Sequence, residues 1–185
     1  MRKSIVCLCA LLLTLATFAQ EKRAFDWSRP LLNKQAPKLK FDSWMTEVPD
    51  TAGKFIVLDF WATYCGPCVK FTPKMNEFAR KFGKKAVFIA VATQNEKAVE
   101  KGLVQIQKVK QQLNEEYVPI KFYQATDPNF DLFRAFQLEA IPSVIIIDPQ
   151  GIVRWQGNPH GDGSSKSALT ADTIKQILKK YGKWA

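Results

Sequence analysis

The sequence predicts an α/β domain in which a central mixed β-sheet carries helices on both faces. Three observations carry that expectation. Apolar runs dense enough for strands covered on both sides recur at residues 55–60 (FIVLDF), 86–93 (AVFIAVAT) and 143–148 (SVIIID). Segments with apolar residues at helical spacing separate them. At the end of the first run, Cys65-Gly66-Pro67-Cys68 opens the first of those helices.

Taken in order, residues 20–35 show no clear period, with Phe25, Trp27, Leu31 and Leu32 scattered along them, and read as an arm packed on the domain. Residues 37–44 (PKLKFDSW) alternate weakly, as an edge strand or part of a hairpin does. Pro49 to Gly53 form a turn into the central strand. Beyond the cysteines, Phe71, Met75, Phe78 and Phe82 make one helical stripe, interrupted by Pro73, whose missing N–H should kink the helix; Gly83 closes it. Val99, Leu103, Ile106, Val109 and Leu113 mark an amphipathic helix over residues 95–113, with Gly102 as its weak point. Residues 118–124 are strand-like, and Asp127-Pro128 reads as a helix start leading into residues 130–136. Asp148-Pro149-Gln150-Gly151 has the residues of a type I turn joining two antiparallel strands. A polar loop over residues 158–167 holds the lone His160, expected to be exposed, and Ile174, Ile177, Leu178 and Tyr181 give the last helix its buried face. The order is β-α-β-(α-β)-α-β-β-α.

At 185 residues and 46% hydrophobic, the chain can bury one sizeable core. Residues 1–19 have the pattern of a signal peptide: Arg2 and Lys3, an apolar run over residues 5–18, then Thr17-Phe18-Ala19 with small residues where a peptidase cuts. The run is shorter than the roughly 20 residues of a membrane span. Cleavage after Ala19 is expected, with retention as an anchor the alternative. Cleavage would remove Cys7 and Cys9 and leave Cys65 and Cys68 as the only thiols. Without Arg2 and Lys3, 25 basic residues face 17 acidic ones, a net charge of +8 that reads as a solvated basic exterior. No nucleic-acid motif is present, and a monomer is expected. The domain is placed at residues 36–185.

An exported chain can use structural disulfides freely, yet this one keeps two thiols three residues apart. A bridge closing so short a loop restricts the unfolded chain little, so the pair reads as chemical rather than structural. Unpaired N–H groups and the positive end of the macrodipole at a helix N-terminus favour a thiolate there, which makes Cys65 the nucleophile. Cys68, one turn further in, is close enough to resolve a mixed disulfide. Half a zinc site has the same spacing, but zinc takes about four N or S ligands. Past residue 20 the chain offers this pair and one histidine. Asp59, inside an apolar run, is costly when ionised and therefore asks for a reason. Burial would raise its pKa and suit it to move a proton for Cys68, through water; a structural carboxylate hydrogen-bonded within the sheet is the other reading.

WATYCGPC resembles the WCGPC site of the thioredoxin superfamily, and the exported TlpA/ResA-like thiol-disulfide oxidoreductases are the nearest match, over about residues 36–183. The resemblance implies a thioredoxin fold, with residues 95–124 as an α-β insertion before the Ile141-Pro142 segment. It implies that Pro142 is cis and faces the active site, where the backbone of Ile141 pairs with an extended substrate. Trp61, Tyr64, Gly66 and Pro67 would surround the thiols and contact substrate, although Trp61 could instead pack below the loop. Tyr64 stands where tryptophan is usual, and Asp59 follows thioredoxin where many TlpA/ResA-like proteins carry asparagine. CGPC resembles reducing members, which implies a protein-disulfide reductase with no cofactor. Implied partners are a membrane electron donor of the CcdA/DsbD type and disulfide-containing envelope proteins, among them apocytochrome c. An oxidase or isomerase running the reaction in reverse, or a redox-silent or metal-binding module, are the rivals.

Overall fold

The computed structural model describes residues 30–161 and 168–182. The leader, its cleavage point, Cys7, Cys9 and most of the 20–35 arm lie outside the described residues. Six strands form one sheet: β1 (Ser43–Trp44), β2 (Phe55–Trp61), β3 (Ala86–Ala92), β4 (Tyr123–Thr126), β5 (Ser143–Ile147) and β6 (Val153–Gly157), in the order β1-β4-β3-β2-β5-β6. The central strands β2, β3 and β4 run parallel, while β5, β6 and β1 are antiparallel to their neighbours. Four helices complete the domain: α1 (Gly66–Phe82), α2 (Glu96–Gln112), α3 (Asp131–Ala135) and α4 (Ala171–Tyr181).

Alternation along β2 sorts the core into two layers. Phe55 and Val57 meet Met75 and Phe78 of α1 and Ile174, Ile177 and Leu178 of α4 on one face. Leu58 and Phe60 meet Leu132 and Phe136 of the α3 region on the other. The chain before β2 crosses that second face and ties both sheet edges. At one edge Asn33 N–H donates to Val153 O and Ala36 N–H to Gly151 O; at the other, Asp42 N–H donates to Thr126 O.

Several expected boundaries move, each for a local reason. The edge strand is only two residues, because the chain ahead of it is crossing the sheet rather than following it. β4 starts at Tyr123 rather than 118: Pro119 has no N–H, and the Asn76 side chain takes both Pro119 O (2.8 Å) and Lys121 N–H (2.8 Å). α3 starts three residues after Pro128, since Phe130 turns left-handed (φ 57). Asp127 instead caps from outside, its carboxylate accepting from Leu132 N (3.1 Å) and Phe133 N (2.8 Å). Gly83 ends α1 in ordinary right-handed conformation (φ −59), so no left-handed cap is formed there. α2 is continuous through Gly102, with Asn95 as its N-cap.

Candidate active site

β2 ends at Trp61, and the short loop after it delivers Cys65 as the N-cap of α1. The loop is held from two sides. Thr63 donates its N–H (2.7 Å) and Oγ1 (3.0 Å) to Gln94 Oε1 beyond β3, and Gly102 of α2 presses against the Thr63 side chain so closely that a Cβ there would overlap it. Cys65 adopts extended dihedrals (φ −87, ψ 94) and its Sγ accepts the Cys68 N–H at 3.2 Å. The two cysteines form a disulfide with a Cα–Cα separation of 5.2 Å. Their proximity follows from one helical turn between them.

Around the disulfide, Tyr64 (70% exposed), Gly66 and Pro67 lie at the surface. Cys65 keeps 8% of its surface and Cys68 5%, so the nucleophile candidate is less open than its place at the loop end suggests. Bonded to Cys68, it joins an apolar cluster with Trp61, Ala62, Val99 and the partly buried Ile141. Trp61, expected to share the rim, is 3% exposed and packs beneath it, with an indole N–H that has no hydrogen-bond acceptor among the described residues. Its position on β2 points it to the α1 face, under the cysteines rather than beside them.

The Ile141-Pro142 peptide bond is cis. Pro142 is buried and Ile141 half-buried just ahead of β5. The ladder between β2 and β5 stops at Phe60 and Ser143, and the Ile141 main chain makes no hydrogen bond among the described residues. An extended peptide could therefore add there by main-chain pairing.

Asp59 occupies the β2 face shared by Phe55, Val57 and Trp61. Asp59 is half-buried, and the desolvation it suffers among apolar neighbours pushes its pKa up to about 7. No protein group hydrogen-bonds that carboxyl among the described residues, which argues against a structural carboxylate tied into the sheet. A carboxyl that changes charge near neutrality and is reached by water suits proton exchange with a thiol.

His160 is exposed as expected, but it is not remote: its Nε2 lies 3.1 Å from Pro67 O and its ring packs on Phe71. Gln94, Gly102 and His160 were not legible as site residues, although a glycine inside an amphipathic helix is a signal of close approach. A groove of about 1000 Å³ between α1 and β4, lined by Pro73, Asn76, Arg80, Phe88 and Phe122 among others, touches neither cysteine. No cluster of three metal-ligating side chains exists among the described residues.

Comparison with known proteins agrees with this geometry. The Redoxin family model matches residues 33–173. Thiol-disulfide oxidoreductase ResA of Bacillus thuringiensis subsp. konkukian is 27% identical over 154 residues, covering 80% of this chain and 78% of that protein. Over a shorter stretch, thioredoxin H-type of Oryza sativa subsp. indica is 44% identical over 54 residues, 29% of this chain and 43% of that one. Among solved structures, a candidate thiol:disulfide interchange protein DsbE from Chlorobium tepidum superposes with a TM-score of 0.60 at 26% identity, covering 82% of this chain and 97% of that chain. The thioredoxin domain of thiol-disulfide oxidoreductase BVU-2223 from Bacteroides vulgatus shares the fold at 17% identity, with a TM-score of 0.57 and coverage of 82% and 97%. With the cysteine pair at the head of α1 and the Redoxin match over most of its length, this chain belongs to the Redoxin family, as a ResA-like thiol-disulfide oxidoreductase of the thioredoxin superfamily.

Proposed function

We propose that the chain is an exported reductase of protein disulfides. The observation that carries the reading is the Cys65–Cys68 pair at the head of α1, packed near Ile141, whose main chain has no partner among the described residues. In the reduced form, Cys65 thiolate attacks one sulfur of a substrate disulfide; a Cys65–substrate bond forms and the substrate bond breaks, releasing one thiolate. Cys68 then loses its proton to the Asp59 carboxylate through water and attacks Cys65 Sγ. The mixed disulfide breaks, the second substrate sulfur leaves and takes up a proton, and Cys65–Cys68 remains. Two electrons have passed to the substrate. Ile141 holds the substrate chain extended across the site, and Tyr64, Gly66 and Pro67 form the surface it crosses.

The leader pattern of residues 1–19 supports export, and the Gly-Pro between the cysteines supports the reducing direction. A dithiol donor must restore the pair, and we assign that task to a membrane protein of the CcdA/DsbD type. The substrates are disulfide-bearing envelope proteins such as apocytochrome c. A redox titration separates reductase from oxidase: a potential near −270 mV, about that of thioredoxin, is expected, and one near −120 mV, about that of DsbA, would overturn the direction. Replacement of Cys68 by serine is expected to leave substrates disulfide-linked to Cys65 in envelope extracts, and Cys65→Ser to leave none. If Cys68→Ser traps no protein, the substrate class is wrong.

A further inference from the structure

The loop after β6 brings another group to the cysteines. Asn158, Pro159, His160 and Gly161 form a tight turn: Gly161 N–H donates to Asn158 O at 2.9 Å, Asn158 Oδ1 accepts His160 N–H at 3.0 Å, and Gly161 takes the left-handed φ of 88. Leu169 N–H anchors the turn through Pro159 O at 3.0 Å. So held, the imidazole packs on Phe71 of α1 at a centroid distance of 4.9 Å and puts Nε2 3.1 Å from Pro67 O. A carbonyl oxygen only accepts, so Nε2 carries the proton.

The oxygen that His160 engages belongs to the peptide unit joining Pro67 to Cys68. The N–H at the other end of that unit is the one donating to Cys65 Sγ at 3.2 Å. His160, this single planar amide and Cys65 therefore form one chain of hydrogen bonds. Donation to the oxygen draws charge through the resonant C–N bond and makes the N–H a better donor. On reduction, the sulfur receiving it is the thiolate.

The geometry points to His160 as a positioning residue for the redox pair, stabilising the Cys65 thiolate, and with it the reduced form, through the Pro67–Cys68 peptide. This rests on Cys65 being the nucleophile. A more stable thiolate makes the dithiol easier to keep reduced and leaves a larger share of Cys65 ionised for attack on a substrate disulfide.

Two variants of the full chain test it. His160→Phe keeps an aromatic ring against Phe71 but has no donor, and His160→Gln keeps a side-chain N–H. With both equilibrated against glutathione near neutral pH, the phenylalanine variant should be about twofold to fivefold harder to keep reduced, one neutral donor's share of a charge-assisted bond. Its thiolate absorbance at the same pH should fall, and the glutamine variant should recover much of both. A His160→Phe protein with wild-type potential and thiolate absorbance overturns the role while leaving the reductase reading intact. Equal shifts in the two variants overturn it too, because packing rather than donation would then be the cause. A wild-type chain that exchanges no disulfide with glutathione removes both readings.

Discussion

At the scale of single residues, Asp59 carries the largest energetic consequence. Its folded pKa is raised from 3.8 to about 7 by desolvation. Between those values the folded chain holds a proton that the unfolded chain has released, so stability falls as pH rises through the window and the full cost persists above it. We expect Asp59→Asn to be more stable than the parent at about pH 8, by an amount on the order of a few kcal/mol, and equally stable near pH 4. Denaturant unfolding at the two pH values checks this, and a variant that is less stable at both would show the carboxylate to be structural after all. The same change should slow resolution of a mixed disulfide by about 10²-fold near neutrality, since the acceptor for the Cys68 proton is gone. Asp59 stood out in the sequence as a charge in an apolar strand. That its carboxyl finds no hydrogen-bond partner among the described residues did not, because satisfaction depends on neighbours from other elements. Trp61 shows the same divide: its proximity to the cysteines was legible, whereas the face of β2 it occupies places it below them.

Among the secondary elements, α2 does something its pattern does not announce. Val99 alone of its predicted stripe is buried, while Val109 (39%) and Leu113 (61%) remain open, so the helix contributes little to the main core. Its tight contact is Gly102 against Thr63, two residues ahead of the nucleophile. Gly102→Ala should gain up to about 1 kcal/mol of helix preference. The added methyl overlaps Thr63 Cβ as well as its hydroxyl, and overpacking of this kind costs about 1–3 kcal/mol. We therefore expect a net loss of stability together with a severalfold fall in disulfide reduction, read by unfolding and by insulin reduction. Gln105→Ala on the exposed side of α2 should change neither by more than about 0.5 kcal/mol. If Gly102→Ala is as active and stable as the parent, the loop before Cys65 is not braced by α2.

Over the whole molecule, Arg154 of β6 joins parts far apart in the chain. Its Nε donates to Asp148 Oδ2 at 2.6 Å, its NH1 to Asn33 Oδ1 at 3.1 Å, and its guanidinium lies 3.9 Å from the Tyr181 ring of α4. The Asp148 side chain is fully covered and also accepts Gln150 and Ile152 N–H groups, which shapes the turn between β5 and β6. Arg154→Ala strands that carboxylate and should cost about 2–3 kcal/mol in denaturant unfolding, less than a bare buried charge because two backbone donors stay. Lysine should recover only part, lacking the planar fork that serves three partners. A silent Arg154→Ala would mean that the arm and α4 are held by apolar packing alone.

Local chemistry written along the chain determined the strands, the amphipathic helices, the β5–β6 turn and the thiol pair at a helix start, because each is a relation among residues a few positions apart. Tertiary structure alone decided that residues 31–44 cross the sheet, that β4 begins late, that Thr63 leans on α2, and that His160 reaches the peptide behind Cys65. Those depend on residues tens of positions distant arriving at one place, and no period or motif encodes where a loop from β6 ends against the head of α1.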